Sequence, residues 1–301
     1  MMQLILIDYP GASLAAVAGV QEMFSHTARL HKRDALAPIT LTTVTAASLP
    51  KMQAEAVILP PAFGNAQYLT PPPAVIDWLR QRADDTIMAS ACAGAFYLAA
   101  AGLLDGHRVT THWGLEQMLR DHAPKAEVDI GEILIREGRV ITAGGLLSWV
   151  DLALELINQL CGPEIMREVG RHFVVDTGRR EQRYYSAFTP PTQHGDGPIK
   201  QAQALIERTF TAPIRISELA RTVALTERTF LRRFERATGH TPLAYVQHLR
   251  IQSAQRGLEN TNAAIDQIAY AVGYENANAF RKLFKRHTGL SPSQYRQRLK
   301  R

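Results

Sequence analysis

Compared with itself, the last third of this 301-residue chain repeats. Ile216, Leu219, Ala220, Val223 and Ala224 recur 49 positions later as Ile265, Ile268, Ala269, Val272 and Gly273. One extra residue in the second copy then moves the offset to 50, and Phe230, Phe234, Arg236, Thr238, Gly239, Pro242 and Tyr245 meet Phe280, Phe284, Arg286, Thr288, Gly289, Pro292 and Tyr295. The apolar members lie three and four apart, which is helical spacing, so the segment is a duplicated helical unit. In each copy a small residue, Ala220 or Ala269, allows a close crossing of two helices. A tight turn follows at Ala224-Leu225 and Gly273-Tyr274, and Thr226 or Asn276 can cap the next helix with its side-chain oxygen. This is the plan of a helix-turn-helix, present twice.

The second helix of each copy divides into two faces. Phe230 with Phe234, and Phe280 with Leu283 and Phe284, form a buried stripe. The opposite faces carry Arg228, Thr229, Arg232 and Arg233 in the first copy, and Asn278, Arg281, Lys282 and Lys285 in the second. Arginine reads guanine and asparagine reads adenine in the major groove. Both capped N-termini, at Thr226 and Asn276, also suit a phosphate. Between the units, PLAYVQHLRIQSAQRGLEN from Pro242 is expected as a long connector helix with Leu243, Val246, Leu249 and Leu258 near one face. It would let one chain enter successive major grooves about 34 Å apart. Residues 200–301 hold 18 Lys and Arg against 7 Asp and Glu, a balance of +11, whereas 1–199 carry 16 against 21, a balance of −5. A basic module beside an acidic one fits a protein that places one half on double-stranded DNA.

The length calls for two domains. Up to residue 162 the chain alternates β-rich runs with helical patterns (QLILIDY, a helix near Ser13 to Leu30, ITLTTV, AVILP, a helix near Ala74 to Arg82, TIMAS), the pattern of a mainly parallel sheet. A long helix from Leu146 is expected to end at Gly162-Pro163. Residues 1–175 are read as the α/β domain, 176–199 as a linker rich in Gly, Pro and polar residues, and 200–301 as the all-α domain. No run of eighteen apolar residues occurs, and the opening MMQLILIDYPG meets Asp8 early and lacks a signal peptide's basic region and cleavage site. With two cysteines in no metal or disulfide spacing, the expectation is a cytoplasmic protein with no membrane partner, metal or cofactor.

In TIMASACAGAF, Cys92 stands where a strand turns sharply into a helix between small residues. Such an elbow resembles a nucleophile elbow, and a helix N-terminus there favours thiolate. Tyr9, just past the first strand, falls at a carboxyl end where such sheets bind ligands.

The stretch IDQIAYAVGYENANAFRKLFKRHTGLSPSQYR resembles the signature of the AraC/XylS family, which implies a promoter-binding regulator, often an activator, working with RNA polymerase. The N-terminal half, through AAAGLLDGHRVTTHW and the elbow, resembles the DJ-1/PfpI-like, class I glutamine amidotransferase-like fold, a flavodoxin-like three-layer α/β sandwich. That resemblance implies a glutamate hydrogen-bonded to the elbow cysteine, matched by Glu22, and a histidine near it, matched by His112. Together the halves resemble GlxA-type regulators, implying a pocket around Glu22, Cys92, Ala93, His112, Gly64 and Tyr9. Trp113 and Trp149 are candidates for a cage around a cationic effector such as an amine or amino acid derivative, or for core packing. Ala93 replaces the histidine that follows the cysteine in PfpI-type hydrolases, and Pro61 removes an N–H donor from the neighbouring turn. Both departures argue against catalysis, so no catalytic residue is assigned. Three roles stay open for this half: small-molecule sensor, cysteine-dependent hydrolase or glyoxal-consuming enzyme, and scaffold for a homodimer.

Overall fold

The computed structural model describes all residues except 65, 179, 180, 186, 300 and 301. The chain forms two compact units, Met1–Gln182 and Arg183–Arg301.

In the first unit the strands are β1 (Met2–Asp8), β2 (Ile39–Thr45), β3 (Ala56–Leu59), β4 (Ile87–Ala91), β5 (Arg108–Val109), β6 (Glu127–Val128), β7 (Leu134–Glu137) and β8 (Val140–Ala143). Six of them make one sheet in the order β2-β1-β3-β4-β8-β7. Every pair in it is parallel except β7 with β8, while β5 and β6 form a small parallel pair of their own. The helices are α1 (Leu14–Arg33), α2 (Pro73–Arg80), α3 (Ala95–Ala100), α4 (Glu116–His122) and α5 (Trp149–Phe173).

Strand β1 explains the layering. Its residues Leu4 to Ile7 are all fully buried, so both faces of the strand must be covered. Ile5 and Ile7 pack with Trp78 and Leu79 of α2, Phe96 and Leu98 of α3 and Leu119 of α4. Leu4 and Leu6 pack with Val17, Val20, Met23 and Phe24 of α1 and Leu152, Leu156 and Ile157 of α5. The result is a flavodoxin-like sandwich of helices, sheet and helices, doubly wound about β1 and β3. Tyr9, Pro60 and Cys92 follow β1, β3 and β4 at their carboxyl ends, the usual ligand edge of such sheets.

Helix α5 differs from the sequence expectation. Gly162 leaves helical geometry (φ 86°, ψ 166°), as the Gly-Pro pair suggests, but the helix resumes at once. Proline lacks only an N–H that a first helical turn leaves unpaired anyway, and Ile165 and Val169 return to the same core as Leu152.

The second unit is all helical: α6 (Gly197–Thr209), α7 (Ile216–Thr222), α8 (Glu227–Thr238), α9 (Pro242–Asn260), α10 (Ile265–Ala271), α11 (Ala277–Thr288) and α12 (Pro292–Leu299). The internal repeat reaches further back than the sequence comparison began. Ile199, Ala202, Ile206 and Glu207 of α6 match Ile251, Ala254, Leu258 and Glu259 of α9 at an offset of 52. Tyr245 donates to Glu207 (3.1 Å) and Tyr295 to Glu259 (2.8 Å), so the same bond closes both copies. Helix α9 therefore serves both: Tyr245, Val246 and Leu249 belong to the first core and Ile251, Ala254 and Leu258 to the second. Of the connector positions expected on one apolar face, Leu243 is instead 65% exposed, since α9 has just begun there.

The boundary between the units falls inside the stretch 176–199. Gln182 is buried in the first unit, Tyr184 and Phe188 join cores of the second, and α6 starts at Gly197 with Asp196 as its cap. Positions 179, 180 and 186 of that stretch lie outside the described residues.

Candidate functional site

The two helix-turn-helix copies agree residue by residue. Ala220 and Ala269 are buried at the crossings. The turns place Ala224 (φ 54°) and Gly273 (φ 91°) in the same left-handed conformation. Glycine is needed only at the second, where a Cβ would come within 2.2 Å of the Thr211 carbonyl oxygen. Thr226 Oγ1 accepts the Thr229 N–H (3.3 Å), and Asn276 Oδ1 accepts those of Asn278 (2.8 Å) and Ala279 (3.1 Å). Each second helix ends on a left-handed glycine, Gly239 or Gly289.

Phe230, Phe234, Phe280 and Phe284 are fully buried, so the opposite sides of α8 and α11 face solvent. Arg228, Arg232, Lys282 and Lys285 are exposed there, Thr226, Asn276 and Asn278 are exposed at the N-terminal ends, and Thr229 is half-buried. Two candidate readers are engaged inside the protein. Arg233 forms a two-pronged ion pair with Asp196 (2.7 and 2.9 Å), which also caps α6. This corrects the placement of Arg233 on the free face: its position lies one step toward the core and its guanidinium ties α8 to α6. The Arg233 guanidinium in turn holds the Asp196 carboxyl below its usual range. Arg281 donates to Asp266 of α10 (2.5 Å) and to Asn278 (3.0 Å), a polar cluster at the mouth of the second reading surface. Arg236 and Arg286, paired by the repeat but not placed on the reading faces, join those faces in the structure. Both are exposed and continue the rows Arg228-Arg232 and Asn278-Lys282 by one helical step of four.

In the first unit Cys92 adopts φ 52°, the strained elbow its small neighbours suggested. A Cβ on Gly94 would stand 2.4 Å from the Leu59 carbonyl oxygen, so the turn passes tightly over the end of β3. The backbone N–H groups of Ala93 and His112 both point at the thiol. Thr111 Oγ1 donates to the Cys92 carbonyl (2.9 Å). Tyr9, 4.5 Å from Tyr97 between ring centres, donates to the Pro60 carbonyl, and burial raises its pKa.

Two expectations about this elbow are corrected. Burial outweighs the N–H groups: Cys92 is 5% exposed and its thiol is pushed up to about 11, so it is neutral at pH 7. Glu22 is exposed on α1, and the thiol's hydrogen bonds come from the backbone of residues 93 and 112 instead. His112 is half-buried, its Nδ1 accepts the Gly114 N–H (3.0 Å), and desolvation lowers its pKa. Its ring thus caps the turn Trp113–Leu115. Gly64 is exposed with φ 77°, and Ala93 is buried beside the thiol. Trp149 packs against α1 where Gly19 leaves no room for a Cβ, a core role. A separate cleft of about 550 Å³ is lined by β7 and α5 residues, including Arg136, Asp151 and Glu155, and does not include Cys92.

Among the described residues no cluster of His, Cys, Asp and Glu could hold a metal, and no helix is long and apolar enough to cross a membrane. Twin helix-turn-helix units with exposed cationic faces, joined to a flavodoxin-like domain, define a DNA-binding transcription regulator. Comparison with known proteins agrees: residues 219–298 match the helix-turn-helix domain model and residues 31–159 the DJ-1/PfpI family model. The transcriptional regulator CdhR of Pseudomonas aeruginosa is 31% identical over 228 residues, covering 74% of this chain and 67% of that protein. The regulator GlxA of Rhizobium meliloti is 28% identical over 211 residues, 68% of this chain and 64% of its own length, just short of two thirds. The DNA-binding domain of AdpA, solved with a target DNA, is 31% identical, covering 34% of this chain and 93% of that one, at a TM-score of 0.33. The chain belongs to the AraC-type transcriptional regulators that carry a DJ-1/PfpI domain.

Proposed function

We propose that this regulator works in the cytoplasm as a homodimer whose N-terminal domain senses a small metabolite, an amine or amino acid derivative, without turning it over, and thereby alters promoter binding and RNA polymerase recruitment. The observation that carries the non-catalytic half of this reading is the elbow itself. A thiol 5% exposed and neutral at pH 7 is a poor nucleophile, and the nearby His112 ring nitrogen is spent on a backbone cap. What the elbow retains is a shaped and strained site with oriented N–H groups at the sheet's carboxyl edge, features that suit ligand recognition. The DNA contacts fall to Thr226, Arg228, Thr229 and Arg232 in the first unit and to Asn276, Asn278, Arg281, Lys282 and Lys285 in the second.

A thermal-shift screen of amines, amino acids and aldehydes against the full chain tests the sensor, because a ligand bound only by the native state raises the melting temperature. A hit whose effect is lost in Cys92→Trp supports it. Turnover of any hit, abolished by Cys92→Ala, would overturn the non-catalytic reading, and silence across the screen would favour a scaffold.

A further inference from the structure

The last residue of the first unit is a glutamine, and its surroundings are unusual for an interdomain boundary. Gln182 is 2% exposed. Its side-chain amide donates to the carbonyls of Thr111 (2.9 Å) and Ile130 (3.0 Å), and its Oε1 accepts the Trp113 N–H (3.0 Å). Its backbone N–H reaches the Gly131 carbonyl (2.9 Å). Gly144, past β8, has no Cβ because one would lie 2.4 Å from the Gln182 amide nitrogen. Every side-chain donor and acceptor is therefore used, in a slot shaped to the residue.

The slot is the back of the elbow. The loop 111–113 that Gln182 grips from one side grips Cys92 from the other. Thr111 bonds Gln182 through its carbonyl and Cys92 through its hydroxyl. Of two consecutive amides, that of His112 points at the Cys92 sulfur and that of Trp113 at Gln182. A shift of the elbow must either break these bonds or move Gln182.

Two residues further on, the chain is already fixed in the other unit. Within the turn Arg183–Tyr185, the Tyr184 ring lies 5.0 Å from that of Tyr295 of α12, tilted by 46°, with the Arg298 guanidinium 4.5 Å over it. Phe188 lies 4.7 Å from His248 and 5.1 Å from Tyr245, both on α9, and its carbonyl accepts from Gln252 (3.0 Å). Tyr184 thus enters the core of the second helix-turn-helix and Phe188 that of the first.

We infer that Gln182 is the coupling residue between the Cys92 elbow and the DNA-binding unit: it anchors a strap behind the elbow in the first unit, and Tyr184 and Phe188 anchor that strap in the two helix-turn-helix cores of the second. This rests on the sensor reading and supplies its route. Gln182 touches no ligand; it acts through the 111–113 loop.

Hydrogen exchange on the full chain tests it. Phe188→Ala loosens the far end of the strap. It should speed exchange in a peptide spanning 111–115 by about 5-fold, the low end of ordinary coupling between sites, with the α2 peptide as an unchanged reference. In Gln182→Glu, which keeps the shape but loses both donated bonds, Phe188→Ala should have no further effect on 111–115. Gln182→Ala is the stronger form of that variant if it folds. A Phe188→Ala effect confined to residues 183–301, or one that survives unchanged in Gln182→Glu, overturns the inference. A duplex selected by the full chain from a random pool provides a second arm, slowing exchange at 111–115 in the parent and not in Gln182→Glu. Failure to select any duplex would count against the DNA-binding reading, while the Phe188→Ala arm still decides the strap.

Discussion

Replacing Arg232 and, separately, its neighbour Arg233 by alanine sets the free cation against the tethered one. Arg228, Arg232 and Arg236 step along one exposed side of α8, and Lys282, Lys285 and Arg286 occupy the matching surface of α11. A cation that neutralises a DNA phosphate contributes about 0.9 to the slope of log affinity against log salt, so full engagement of these six would give a slope near −5. Between about 50 and 200 mM salt one such contact accounts for roughly a 3.5-fold change in affinity. Arg232→Ala should flatten the slope by about 0.9. Arg233→Ala should leave it unchanged, because its guanidinium is bound to Asp196 at 2.7 and 2.9 Å; its effect should appear as a lower melting temperature. Fluorescence anisotropy titrations of a selected duplex at several salt concentrations read both slopes. Equal flattening by the two variants would refute the assignment of Arg233 to the scaffold and the division of faces on which it rests.

Gly273→Ala should destabilise the second unit by about 2–4 kcal/mol, combining left-handed strain with the collision at Thr211, whereas Ala224→Gly should change stability by less than about 1 kcal/mol; urea unfolding measures both. His248 and His287 are half-buried against each other, 4.6 Å apart, and desolvation lowers them to about 3 and about 4. Because the unfolded chain binds their protons first, stability should be full above pH 6.5 and fall as pH drops toward 4, with a slope approaching ~1.4 kcal/mol per pH unit for each; a flat profile between pH 7 and 5 would contradict it. Iodoacetamide should label Cys92 far more slowly at pH 8 than an unfolded control and accelerate as pH rises toward 11, whereas a fast reaction at pH 7 would restore the nucleophile.

The DNA-binding half was legible because it says everything twice. Matching apolar positions, caps and left-handed turns at fixed offsets leave little freedom, and α7 with α8 and α10 with α11 fall where the repeat puts them. The repeat's first helix escaped notice because its partner is the second half of α9, whose register differs by three residues. Arg233 was misplaced because charge pattern alone does not tell which of two adjacent arginines has an acid within reach, and Asp196 lies 37 residues away. The elbow was visible in ACAGAF, but not how deeply it would be covered, so the helix end was credited with a thiolate that burial forbids. Glu22 followed from family likeness, and its exposure shows that the match was one of sequence neighbourhood only. Gln182 gave no signal: a single glutamine in a polar stretch reads as linker, and only its four hydrogen bonds show otherwise.

A helix shared by two helix-turn-helix cores is also a ruler. Adding one residue to α9 between Leu249 and Ile251 would turn everything after it by about 100° and advance it by about 1.5 Å. If both units enter a duplex running along α9, matching that rotation would take about three base pairs, which lie about 10 Å apart along the axis, so re-spacing the operator would not restore both angle and distance. If both units read DNA, the interval between their half-sites is set by the length of a single helix.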